Sequence, residues 1–349
     1  MLSLFAPASG LRAKVIGIYL FLFALNIGAW LWALLSFHHN PVLLGTALLA
    51  YIFGLRHAVD ADHIAAIDNV TRKLMQQGQR PVGVGFCFSI GHSAVLLIGV
   101  VVIAAMTVTL ADSFNNYNAI AGTIGTLVSS FFLLLIALMN LLIARAVYRS
   151  FRHVRRGGAY VEEDFDLLLN QRGLLARLFR PLFRLVSRSW HMLALGFLFG
   201  LGFDTATEVT LLGIASTQAL HGMSLWPLLT FPLLFAAGMS LIDTTDGILM
   251  LGAYGWAFVK PVRKLYYNLT ITLVSALVAL VIGGIEGLGL IAAEFALGGW
   301  FWNAIARLND QFGAIGYIII GIFGLSWVVS TLVYKFKRYD EMEITIAQP

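Results

Sequence analysis

Charged side chains are scarce in this 349-residue sequence: Asp, Glu, Lys and Arg make up 12% of it, against about 25% in soluble globular domains. With 59% hydrophobic residues, its apolar surface is read as facing lipid and neighbouring helices, which excludes a water-soluble domain. Cysteine is almost absent. Cys87 stands alone, so an intrachain disulfide scaffold is excluded. Short strands of alternating polarity, the mark of a membrane barrel, are also missing. There is no Walker A pattern and no HExxH pattern, which removes the P-loop ATPases and the commonest zinc hydrolases. The net charge of +5 could suggest nucleic acid as partner, but its distribution says otherwise. Of 23 Lys and Arg residues, all except Arg56 and Arg307 fall in alternate connecting segments.

What is present is a series of hydrophobic runs of about 20 residues, each long enough to cross a bilayer as a helix. Eight spans are expected, centred near Leu25, Gly54, Val95, Leu133, Gly202, Met239, Leu277 and Ile322. Arg12/Lys14, Arg72/Lys73/Arg80, the Arg145–Arg188 segment, Lys260/Arg263/Lys264 and Lys335/Lys337/Arg338 lie on one side, and the opposite loops hold only Arg307. The positive-inside rule then puts both termini in the cytoplasm. The fold class is all-α, a polytopic integral membrane protein with one transport domain over residues 1–349. Spans one to four occupy about 14–145 and spans five to eight about 191–335. Residues 146–190 form a cytoplasmic connection in which Arg177, Arg180, Arg184 and Arg188, three or four apart, predict an interfacial amphipathic helix.

Four spans carry polar groups at similar depth. Span two supplies Arg56, His57, Asp60, Asp62 and His63; span three, Ser89, His92 and Ser93; span five, Asp204, Thr205, Thr207 and Glu208; span six, Asp243, Thr244, Thr245 and Asp246. A charged group at bilayer depth costs roughly 2.5–3.5 kcal/mol on insertion scales, so such groups are rare there and functional by default. A shared interior site explains all four segments together. Imidazole and carboxylate without thiolate suit a divalent first-row transition metal, whereas Ca2+ or Mg2+ would favour oxygen alone.

Helix geometry complicates this site. At about 100° per residue, His57, Asp60 and His63 share one face while Asp62 points away from Asp60. Either span two is locally unwound, or Asp62 acts on a neighbouring ligand or helix. Arg56 is expected to pair with Asp60 at i,i+4 or with an acid of another span. Gly54, Gly83–Gly91, Gly196–Gly202 and Gly238 would permit close helix contacts or broken helices. Asp60, Asp62, Asp204, Glu208, Asp243 and Asp246 are too many carboxylates for one buried ion and Arg56 to neutralise, so protonation of some, and with it proton coupling, is an expectation. Asp68 is read as a solvated or Lys-paired acid at the cytoplasmic end. Glu286 is placed toward the outer edge of span seven, outside the site.

The same residues carry a resemblance. RHAVDADH (Arg56–His63) fits the HX4DH motif of the nickel/cobalt transporter family, with His57, Asp62 and His63 at its defining places. FSIGHS, LGFDTATEV and GMSLIDTTDG resemble that family's other motifs, in order and in the expected spans. The resemblance implies a single-component permease for high-affinity uptake of Ni2+, possibly also Co2+, across the bacterial inner membrane, with the metal as cargo, no resident cofactor and no ATPase subunit. The His-rich cytoplasmic stretch usual in related exporters is absent, which favours import. The expected metal site is His57, Asp60, Asp62, His63, His92, Asp204, Glu208, Asp243 and Asp246. An intramembrane metalloenzyme using the same cluster is the alternative.

Overall fold

The computed structural model describes residues 9–106, 111–156, 186–201, 206–257 and 261–337. Among them are twelve α-helices and no strand: α1 (Ser9–Phe37), α2 (Pro41–His57), α3 (Ala61–Gln76), α4 (Val84–Met106), α5 (Ala111–Arg155), α6 (Met192–Gly200), α7 (Ala206–Leu220), α8 (Leu225–Leu228), α9 (Thr230–Ala257), α10 (Pro261–Glu294), α11 (Trp300–Asn309) and α12 (Phe312–Phe336).

Six segments are long and apolar enough to cross a membrane: Gly10–Phe37, Val84–Ala105, Thr126–Arg155, Leu225–Gly255, Leu269–Glu294 and Ala314–Phe336. A seventh is the pair α2 and α3, bent by 50°. The remaining apolar stretch is represented by two short helical segments, Ser189–Gly200 and Thr210–Leu220, on either side of residues 202–205, which lie outside the described ones. Thus the expected span that carries DAD is a bent pair of helices, while the expected span that carries DTATE is described only on either side of residues 202–205. The amphipathic connector expected around Arg177–Arg188 falls almost wholly outside the described residues. The expected outer loop 293–313 contains a short helix, α11.

The molecule is apolar outside as well as inside, as a lipid-facing helical bundle must be. α1 and α12 present Leu20, Leu35, Ile318, Leu325 and Phe336 outward, Leu35 being 76% and Phe336 88% exposed. Inside, small residues predominate where helices meet. α9 runs against α2, α3 and α4, and an apolar core of Ala47, Ala50, Leu96, Phe231 and Phe235 fills the α2–α4–α9 junction. The approach is close enough to need glycine. A Cβ on Gly85 of α4 would overlap the Asp243 carbonyl of α9, and one on Gly54 of α2 would overlap the Phe235 carbonyl. Such small-residue contacts let backbones touch where lipid offers no hydrophobic drive for association. Both bring a helix of the polar constellation against α9.

Candidate metal centre

The centre is built on the break in span two. α2 ends in a tight turn in which Val59 N donates to Arg56 O and Asp60 N to His57 O at 3.0 and 2.9 Å. The chain then restarts as α3, with Asp60 in extended conformation at the N-cap. Asp is a favoured N-cap residue, yet its carboxylate does not cap the helix. It accepts instead from His57 Nδ1–H at 2.8 Å. The break resets the helical phase between His57 and Asp62, so local unwinding, one of the two arrangements the sequence left open, is the one adopted. It also places two groups where helix dipoles favour them: His57 at the electronegative C-terminus of α2 and Asp62 in the first turn of α3.

Three imidazoles converge. Ring nitrogens of His57, His63 and His92 lie within 4.8 Å of one another, and all three residues are buried. With Nδ1 committed to Asp60, His57 turns Nε2 toward His92, 2.9 Å from His92 Nε2. His92 Nε2–H donates to Glu208 Oε1 at 2.9 Å, and that oxygen is 3.7 Å from His57 Nε2. His63 Nδ1–H points at both oxygens of Asp243 at 3.3 Å, leaving its buried Nε2 without a hydrogen-bond partner. Asp62 is buried, its Oδ1 has no partner, and its charge reaches all three imidazoles.

The shortest of these separations match the spacing of donors around one ion. At about 2.0–2.1 Å from an ion, neighbouring ligand atoms stand about 2.9 Å apart in octahedral or square geometry and about 3.3 Å apart in a tetrahedron. His57 Nε2, His92 Nε2 and Glu208 Oε1 are spaced at 2.9, 2.9 and 3.7 Å. Carboxylates on the far ring nitrogens of His57 and His63 fix tautomer and ring plane, the usual support of a metal-binding histidine. Loading His92 through Nε2 places its proton on Nδ1, which has no competing partner.

Of the residues expected at the site, His57, Asp60, His63, His92, Glu208 and Asp243 form one connected chain of hydrogen bonds and ring contacts, and Asp62 is close by. Asp246 stands one turn along α9 from Asp243, within electrostatic reach of it. Asp204 lies outside the described residues. Arg56 is exposed and makes no ion pair among the described residues. Its expected partner Asp60 is taken by His57, which is closer to the turn, so the supporting pair is replaced by an imidazole–carboxylate contact. Cys87 packs against the apolar cluster that holds Phe88 and Phe199 and is not among the grouped donors. Two members went unnoticed in the sequence: Phe88 stands edge-on to His63 with centroids 4.8 Å apart, and Phe235 lies 5.5 Å from His57. Phe88 is one turn before His92, a spacing that would have found it.

A family model described as NicO, high-affinity nickel-transport protein, matches residues 43–333, which include every residue of the centre. The chain belongs to this nickel-transport family. It is similar to the high-affinity nickel transport protein of Cupriavidus necator, 62% identical over 333 residues and covering 95% of each chain. It is also similar to the nickel transporter NixA of Staphylococcus aureus, 48% identical over 313 residues, 89% of this chain and 91% of that one. The cobalt transport protein NhlF of Rhodococcus rhodochrous is 37% identical over 334 residues, 93% of this chain and 92% of that one. No solved structure matches the chain. The NicO family is one of transporters, not enzymes, and lends the metalloenzyme alternative no support.

Proposed function

We propose that this multi-pass membrane protein imports Ni2+, with Co2+ as a further cargo, by secondary transport across the bacterial inner membrane. The names of its relatives support both ions. In this reading the chain crosses the bilayer eight times, the bent pair α2–α3 counting as one span and α6 with α7 as another, with both termini in the cytoplasm. The ion enters from outside, exchanges water for His57, His63, His92 and Glu208, with Asp62 and Asp204 as further oxygen donors, and leaves inward past Asp246. Asp60 and Asp243 hold the rings. A membrane potential of 100 mV, negative inside, favours entry of a dication by roughly 4.6 kcal/mol, so no nucleotide is required.

The observation that carries the reading is the meeting of His57 Nε2, His92 Nε2 and Glu208 Oε1 within 3.7 Å of one another in a buried site. Cells expressing the protein should accumulate radiolabelled Ni2+ from nanomolar to micromolar solutions, and His57→Ala and His92→Ala should each abolish this at unchanged protein level. Competition by unlabelled Co2+, Zn2+ and Mn2+ ranks the cargo. Wild-type accumulation by the alanine variants would sink the proposed site.

A further inference from the structure

A second buried polar cluster lies on α3 beyond the metal centre. Asp68, Asn69 and Arg72 are at most 3% exposed, although their sequence position suggested a solvated acid and a loop cation. Asp68 accepts hydrogen bonds through one oxygen from the Tyr254 hydroxyl of α9 and through the other from Ser275 Oγ of α10 at 2.7 Å. Arg72 donates to Thr272 Oγ1 of α10 and to Asn69 Oδ1, both at 2.9 Å, and Asn140 of α5 donates to the same Asn69 oxygen at 2.5 Å. One residue on, Lys73 Nζ donates to the Val186 carbonyl at 2.6 Å. A single turn of α3 is thereby bonded to α5, α9, α10 and the segment before α6.

This cluster is poorly suited to hold cargo. Both Asp68 oxygens accept hydroxyl protons, and the Arg72 guanidinium acts on the same carboxylate, so an arriving dication would meet a fixed like charge. Its place is informative. Asp68 is five residues past His63 on the same helix, about 7.5 Å along the axis, toward the basic turn that ends in Arg80. Asp246, whose Oδ2 has no hydrogen-bond partner, lies in electrostatic reach of both Asp243 and Asp68, which links the two clusters along the α3–α9 interface.

Resting on the transport reading above, we infer that Asp68, Asn69, Arg72, Tyr254 and Ser275 form the inward seal of the transporter, which holds α3 closed against α9 and α10 and must open for the ion to leave the imidazoles. The seal governs release and back-leak; metal affinity belongs to the histidines. The test uses the full chain with Tyr254→Phe, Ser275→Ala and Asp68→Asn. Two quantities are read: equilibrium binding of radiolabelled Ni2+ in detergent, and efflux of Ni2+ from preloaded proteoliposomes. Tyr254→Phe and Ser275→Ala each remove one donor with little change of shape. Each should speed efflux about fivefold, the factor that loss of one ordinary hydrogen bond produces in an equilibrium, with the binding constant unchanged. Unchanged efflux in both overturns the seal. Binding weakened as much as transport overturns it in favour of a ligand role for Asp68. Should Asp68→Asn fail to fold, the two hydroxyl variants still decide. Wild-type proteoliposomes that release Ni2+ no faster than protein-free vesicles would instead sink the transport reading itself.

Discussion

His57 is fixed from both ends of its ring, by Asp60 on Nδ1 and by His92 and Glu208 beside Nε2. A carboxylate on the far nitrogen makes the near one a stronger donor and stops the ring from turning, and loss of such a partner typically lowers metal affinity 10–100-fold. Asp60→Asn keeps the size and an acceptor oxygen but removes the charge. It should therefore raise the half-saturating Ni2+ concentration for uptake by about 10–100-fold while leaving protein abundance unchanged, and Asp243→Asn should act likewise through His63. An unaltered half-saturation in both would make these contacts irrelevant to metal holding. At this scale the sequence was informative about chemistry and less so about partners. His57, His63, His92 and Glu208 stood out because polar groups in apolar spans demand explanation. That Arg56 would point outward while Arg72 would be buried depends on which helix covers which face, and no single-span pattern carries that.

Among the elements, the glycine contacts set the separation of helices on which the donor spacing depends. Gly85 of α4 faces the backbone carbonyl of Asp243 on α9, and the methyl of alanine has no room there. Overpacking of this kind costs about 1–3 kcal/mol, and here the strain falls between the helices that carry His92 and Asp243. Gly85→Ala should thus lose most high-affinity uptake, measured as initial rate at low Ni2+. Gly17→Ala, where nothing lies within 4 Å, should transport normally. Equal activity of the two would deny the α4–α9 contact its role. The broken span two was legible as a conflict, since an ideal helix could not bring Asp62 to the side of His57 and His63. Its resolution at Ala58–Asp60 was not legible, because the turn packs against a distant helix, α12, where a Cβ on Gly316 would overlap the Val59 carbonyl. The same holds for α3 beyond His63. Its charged residues looked like a loop because the bilayer was taken as their only possible cover, whereas α5, α9 and α10 surround them. Glu286 is a further instance: it is fully buried and accepts from Ser129 of α5 at 2.7 Å.

For the molecule as a whole, the apolar exterior and the alternating basic segments lead to one orientation, which thiol labelling can check. In a Cys87→Ser background, Asn303→Cys on α11 and Arg80→Cys in the turn between α3 and α4 both place a thiol at an exposed position. A membrane-impermeant maleimide should reach residue 303 in intact cells and residue 80 only after permeabilisation; the reverse result would overturn the orientation. The centre itself straddles a joint: His57 is the last residue of the first half-helix and His63 the third of the second. On the proposed reading, in which both rings hold the ion, any change in the angle at that joint alters the gap between two donors. Bond length to the ion and tilt of the helix then become a single variable, and a cation that prefers shorter or longer bonds would set its own bend.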